Sequence, residues 1–265
     1  MMERPWREYQ LTPAEREEFE ADLISQCDRE LDLLGDVGGL HVLYAGGASP
    51  LWIEGLSLRV GKSGSVTALD LDTERVEAAR EQMEEALLAA PIRLVVGDVF
   101  GLPFSPGAFD LVYSAGLLHE LDVGEMGVDV ALAALCSVTR PGGRLATSDF
   151  VSSEPAVQLE DEGLQAELAR EAFGKVLYGI GPPERLVALH EGLLGEVRWR
   201  VYPPWPLRHL DRVALAEREP EELASLPLET ARRLHDRWGL LRDRIRHEGY
   251  TRPATLYVEG VTRGG

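Results

Sequence analysis

Two short apolar runs end in residues able to grip a nucleotide-type cofactor. His41-Val-Leu-Tyr-Ala45 leads into Gly46-Gly47, and Ser65-Val-Thr-Ala-Leu69 leads into Asp70. A glycine turn between a strand and a helix lets backbone N–H groups approach a ligand closely. A carboxylate ending the neighbouring strand can accept both hydroxyls of a ribose. This pairing points to an adenosine-containing ligand. Asp70 is the principal anchor, unless it is a solvated turn acid sharing a local role with Asp72, which is placed to cap the next helix.

These residues need parallel strands to hold them, and strand-period and helix-period segments alternate accordingly. The pattern predicts strands at 41–45, 65–70, 92–96, 109–114 and 144–149, and helices at 50–59, 73–89 and 125–138. Val76, Ala79, Met83, Leu87 and Ala90 give the helix after Asp70 a packing face, and Pro141-Gly142-Gly143 predicts a turn before the fifth strand. An earlier helix runs from Thr12 or Pro13 to Leu34, with Phe19, Leu23, Cys27, Leu31 and Leu34 on one face. Beyond residue 150 the pattern gives one or two helices in 155–179, a helix from Pro182-Pro183 to about Leu194, and a strand from Glu196 to Tyr202. A helical insertion then carries Leu234, Trp238, Leu241 and Ile245 at helical spacing, and Ala254–Thr262 forms a last strand.

The order of the later pieces is more specific. Leu94-Val-Val-Gly-Asp98 precedes Gly101-Leu-Pro-Phe104, then come Ala108-Phe-Asp-Leu-Val-Tyr-Ser114, Leu118-His119 and Arg140-Pro-Gly-Gly-Arg144. Over roughly residues 38 to 150 this series resembles the class I S-adenosylmethionine-dependent methyltransferases, especially the branch of ubiquinone and menaquinone biosynthesis methylases. The resemblance implies a Rossmann-like α/β fold: a seven-stranded, mostly parallel sheet with flanking helices and an antiparallel last strand. It divides the chain into an N-terminal helical cover at 1–37, a cofactor-binding core at 38–150, a helical cover continuing the core at 151–202, a helical insertion at 203–253, and a final strand and tail at 254–265.

The same resemblance implies the site. S-adenosylmethionine would be the methyl donor and S-adenosylhomocysteine the product, with Gly46, Gly47 and Ala48 near the methionine portion, Asp70 on the ribose and Leu71 beside the adenine. Asp98 and the Val99 backbone would meet the adenine ring, with Asp98 alternatively a turn residue. Ser114, Ala115 and Gly116 would face the methyl-transfer opening. The chain departs from the family at the first motif: Tyr44 holds the place of an acid, and Ala48 and Pro50 hold later glycine places. Tyr44 could donate to a carboxylate, attract an ammonium with its ring, or fill the space the acid leaves. His119 is the candidate catalytic base, unless it holds its loop through a hydrogen bond. Trp6 and Tyr9 could pack over the entrance. Tyr178, Tyr202 and Trp205 are candidate acceptor contacts, and the last two could form a pocket with Arg198, Arg200, Arg208 and His209 around a planar acidic molecule, unless Arg198 and Arg200 simply make a solvated strand face.

Composition narrows the partners. A formal charge of −18 argues against nucleic acid, and no apolar run of membrane-spanning length occurs. The N-terminus reads as lacking an export segment, so a cytoplasmic location is expected. Cys27 and Cys136 make no metal motif and read as buried or half-buried thiols, and the six histidines form no local ligand cluster. The expected activity is methyl transfer to a small hydrophobic or aromatic acceptor, with a homodimer allowed. Two other readings share the same residues: a non-catalytic methyltransferase-like binding protein, and a nicotinamide-dependent oxidoreductase, whose three-glycine spacing is absent here.

Overall fold

The structure, a computed structural model, describes residues 11–263 apart from 85 and 218, so the expected roles of Trp6 and Tyr9 lie outside the described residues. Strands β1 (His41–Ala45), β2 (Ser65–Asp70), β3 (Ile92–Val96), β4 (Phe109–Ala115), β5 (Thr139–Val151), β6 (Leu194–Tyr202) and β7 (Ala254–Thr262) form one sheet in the order β3-β2-β1-β4-β5-β7-β6. β1 to β5 pair in parallel, while β7 is antiparallel to both β5 and β6. The helices are α1 (Pro13–Asp32), α2 (Pro50–Val60), α3 (Thr73–Glu84), α4 (Val128–Val138), α5 (Val157–Phe173), α6 (Pro183–Leu193), α7 (Leu210–Ala216) and α8 (Leu228–Glu248). This is the Rossmann-like architecture expected.

Alternate residues of each central strand feed opposite cores, as the two-residue period of a strand requires. Val42 and Tyr44 pack with α1, α2 and α3, whereas Leu43 and Ala45 pack with α4 and α6. The first face receives Cys27, Leu31 and Leu34 from the α1 stripe, and burial raises the Cys27 thiol pKa. Thr12 and Glu15 cap α1 reciprocally, with Pro13 in its first turn.

Three local expectations are corrected. α3 stops at Glu84 rather than near 89, leaving Leu87 78% exposed. The Ser57 hydroxyl accepts the Ala89 and Ala90 N–H groups at 3.0 Å each, and Pro91 disfavours helix at the residue before it. The Pro-Gly-Gly turn is a bulge within β5. Thr139 pairs with Phe109 and Arg144 with Leu111, so residues 140–143 loop out opposite Asp110, with Gly142 at φ +72°. Finally, α4 starts at Val128 rather than near 125, after Gly127 in extended conformation.

Residues 155–179 make one helix, closed at Gly174 with φ +69°, followed by a strap. Leu164 and Leu168 of α5 pack against Leu234, Trp238, Leu241 and Ile245 of α8, and Glu167 binds Arg233 and Arg237 across the pair. No helix among the described residues is long and apolar enough to cross a membrane. Since Trp238 anchors this separate core, Trp238→Ala should lower unfolding free energy by about 3–5 kcal/mol in urea titrations.

Candidate active site

The turn after β1 is held by the end of β2. Gly46 and Gly47 N–H both donate to the Leu69 carbonyl, at 2.8 and 3.1 Å, and Ala48 N–H donates to Asp70 Oδ2 at 3.1 Å. Asp70 Oδ1 accepts the Asp72 N–H at 3.0 Å, and Asp72 caps α3 through the Glu74 and Arg75 N–H groups. Gly46 cannot be replaced cheaply: its φ is +70°, and a Cβ there would lie 2.4 Å from Leu117.

Tyr44 fills space. Its ring stacks on Tyr113 at 5.8 Å and lies against Gly47, where an added Cβ would come within 2.1 Å of two ring carbons. Burial pushes the Tyr44 phenol pKa well up, so it stays neutral. Tyrosine at the acid's place and glycine at 47 are therefore a matched pair.

Above this turn, at the carboxyl ends of the parallel strands, lies a cavity of about 950 Å³. Tyr44, Gly46, Gly47, Ala48, Asp70, Ala115, Gly116 and His119 all line it. Seven other candidates do not. Ser114 is buried in β4 and Val99 in the short 3-10 turn of residues 99–101, Leu71 is exposed, and Asp98 is exposed with its side chain accepting the Phe100 N–H at 2.9 Å. Tyr178 sits in the strap after α5 with Arg185 stacked 3.9 Å from its ring centre.

Tyr202 and Trp205 line a smaller chamber of about 140 Å³, which shares Gln26, Glu30, Phe150 and Arg252 with the main cavity. The imagined arginine pocket is not assembled. Arg208 pairs with Asp22, His209 with Glu18 and Arg198 with Glu259, which ties the 203–209 segment to α1 and β6 to β7. Trp205 donates to the Asp22 carbonyl at 3.0 Å, with Arg29 over its ring.

His119 is fixed by Asp149. Its Nδ1 lies 2.6 Å from Asp149 Oδ1, while Asp149 Oδ2 accepts the Leu118 N–H at 2.6 Å. Burial favours the neutral ring, but the Asp149 hydrogen bond and charge, with Glu162 and Glu120, outweigh it and raise the pKa to about 9. At neutral pH this histidine holds its proton, which makes it a hydrogen-bond donor rather than a ready base.

Sequence reasoning passed over Gln26, Glu30, Trp52, Glu162 and Arg252, all of which line the cavity. One signal was present: Gln26 and Glu30 are one turn apart and flank the apolar stripe of α1, where a carboxylate is costly without a purpose. Among the described residues no group of three or more His, Cys, Asp or Glu is arranged to hold a metal.

The strand order, the glycine turn and the acid ending β2 together define a Rossmann-like α/β fold with a nucleotide-type site at the carboxyl ends of its strands. Residues 42–143 match the family model described as "Methyltransferase domain", and over about half its length the chain is similar to ubiquinone/menaquinone C-methyltransferases and to an O-methyltransferase. It is similar to the O-methyltransferase cnsE of Penicillium expansum, 32% identical over 126 residues covering 46% of this chain and 42% of that protein. It is also similar to the ubiquinone/menaquinone biosynthesis C-methyltransferase UbiE of Azotobacter vinelandii, 28% identical over 151 residues covering 49% and 58%. The chain thus spans about half the length of the curated relatives it matches. Among solved structures, phosphoethanolamine N-methyltransferase 2 of Haemonchus contortus, in complex with phosphomonomethylethanolamine and S-adenosylhomocysteine, superposes with a TM-score of 0.60 at 14% identity, covering 94% of this chain and 58% of that one. At that identity the likeness is one of fold.

Two measurements test this geometry. Gly47→Ala should destabilise the protein by about 1–3 kcal/mol through overpacking, and most of that cost should vanish in a Tyr44→Ala background, a coupling read from a double-mutant cycle. The His119–Asp149 pair should contribute stability that is complete below about pH 6.5, the ordinary histidine value, and lost as pH rises through about 9. The melting-temperature gap between the unsubstituted protein and His119→Gln should therefore shrink above pH 9.

Proposed function

We propose that this protein transfers a methyl group from S-adenosylmethionine to a small hydrophobic or aromatic acceptor. The observation that carries the reading is the position of Asp70: it lines a cavity of about 950 Å³ at the carboxyl ends of the strands, beside the Gly46-Gly47 turn. The residues suit the donor. Each Asp70 oxygen accepts one backbone N–H and retains capacity for a ribose hydroxyl. Carboxylates of Glu30, Asp70, Asp72, Glu74, Glu120, Asp149 and Glu162 outnumber the lining cations Arg75, Arg252 and protonated His119, an electrostatic balance that favours a sulfonium.

When bound, the donor supplies an electrophilic methyl group on a positively charged sulfur. The protein's task is alignment and exclusion of water. Phe150, Tyr202 and Trp205 line the adjoining chamber with aromatic surface, which supports an apolar or aromatic acceptor. His119, protonated near neutrality, would donate a hydrogen bond to an acceptor oxygen that is already ionised rather than remove its proton. Glu120 and Asp149 flank its ring and keep that proton in place.

Isothermal titration with S-adenosylmethionine and S-adenosylhomocysteine tests the donor site, and labelled-methyl transfer to candidate phenols tests turnover. Asp70→Asn should weaken both ligands by roughly tenfold or more. Absence of binding at about 1 mM in folded protein would remove the donor reading. Tight binding without transfer to any acceptor would favour a binding protein, a reading motivated by the altered residues Tyr44, Ala48 and Pro50.

A further inference from the structure

Three polar residues at the far end of the cavity from Asp70 have no part in the adenosine contacts. Glu30 and Gln26 reach in from α1, and Arg252 from the residues just before β7. Gln26 lies between two opposite charges. Its Nε2 donates to Glu30 Oε1 at 2.8 Å, and its Oε1 accepts from Arg252 Nη1 at 2.8 Å. Arg252 also sits 5.0 Å from the centre of the Phe150 ring. Burial raises the Glu30 pKa, against the opposing pull of Gln26, Arg252 and Trp52. A carboxylate and a guanidinium in a half-buried setting gain most by direct pairing, yet here an amide holds them apart. Both Glu30 and Arg252 line the main cavity and the adjoining chamber.

A group carrying both charges matches this arrangement. We infer that Glu30, Gln26 and Arg252 seat the α-amino-acid end of the donor, with Glu30 taking its ammonium and Arg252 its carboxylate. The inference rests on the donor reading above and deepens it. Trp52 lines the same cavity, and its indole lies close enough to Glu30 to pull that carboxyl pKa down, which favours the charged form that an ammonium needs. Tyr44 shows why such a seat is needed: its neutral ring, committed to Tyr113 and Gly47, offers the ammonium no negative charge. Glu30 therefore restores from α1 the charge absent at the end of β1.

The span is reasonable. Asp70 ends β2, whereas Ser148, Phe150 and Arg252 cluster where β5 meets β7. Three strand spacings, roughly 14 Å, separate β2 from β5, and the reach of the Asp70 and Arg252 side chains shortens that distance.

Binding of two ligands separates this seat from the rest of the site. S-adenosylhomocysteine carries the amino-acid group, whereas 5′-methylthioadenosine has the adenosine and sulfur without it. Glu30→Gln and Arg252→Gln should each weaken S-adenosylhomocysteine by roughly tenfold or more in isothermal titration, leaving methylthioadenosine affinity within about twofold. Retained methylthioadenosine binding also shows that the variants fold. Unchanged S-adenosylhomocysteine affinity in both variants, or equal losses for the two ligands, would overturn the seat while leaving the donor reading intact. Failure of the unsubstituted protein to bind either ligand would instead remove the donor reading, and this inference with it.

Discussion

The binding of the turn after β1 to the end of β2 governs the rest of the site. Three successive amides, of Gly46, Gly47 and Ala48, are satisfied by the Leu69 carbonyl and the Asp70 carboxylate. Left unpaired in a partly buried turn, each would cost about 1–3 kcal/mol, so the turn and Asp70 fix one another. This double duty shapes everything nearby. Asp70 can meet a ligand only with the lone pairs the turn leaves it. The close descent of the turn also forces position 47 to be glycine, because the Tyr44 ring already fills the volume a side chain would need.

A second constraint holds the opposite wall. Asp149, at the end of β5, gathers the Leu118 and Phe150 N–H groups and the His119 ring. The strap after α5 clamps the same loop from outside, with Gly179 N–H donating to the His119 carbonyl, Tyr178 N–H to Leu121 and Val123 N–H to Val176. A buried imidazolium paired this well is a poor proton acceptor at neutral pH but a well-oriented donor. The pairing that makes the wall rigid thereby also keeps a proton on the imidazole that lines the cavity.

What the sequence revealed follows from the range of the interactions. The alternation from β1 to β5 is written in local periodicity, and Asp70 follows its apolar run directly, so both were legible. The end of α3 was not, because a serine 32 residues earlier in the chain captures the Ala89 N–H. The bulge at 140–143 also escaped, since Pro-Gly-Gly marks a change of direction without saying whether pairing resumes on the same strand. Arg252 bonds Gln26 across 226 positions, a proximity that only the antiparallel return of β7 beside β5 creates. Arg208 and His209 suggested an anion pocket by type, yet α1 carboxylates consume them, and no local pattern announces a partner so distant.

The two halves of the cavity have different origins. Asp70, Gly46 and Gly47, along with His119, fall within residues 42–143, the stretch that matches the methyltransferase domain model. Glu30 and Arg252, and the aromatic chamber of Phe150, Tyr202 and Trp205, come from outside it, brought together by α1, the ends of β5 and β6, and the approach to β7. Within that stretch the turn after β1 and Asp70 are held to each other by backbone amides, one carbonyl and one acid, contacts that depend little on the identity of other side chains. The chamber depends on side chains throughout: exchanging Trp205 or Tyr202 would alter its shape without disturbing the β1 turn. The shape of the chamber can therefore change while the β1 turn and Asp70 stay put, because its walls come from the segments flanking the core.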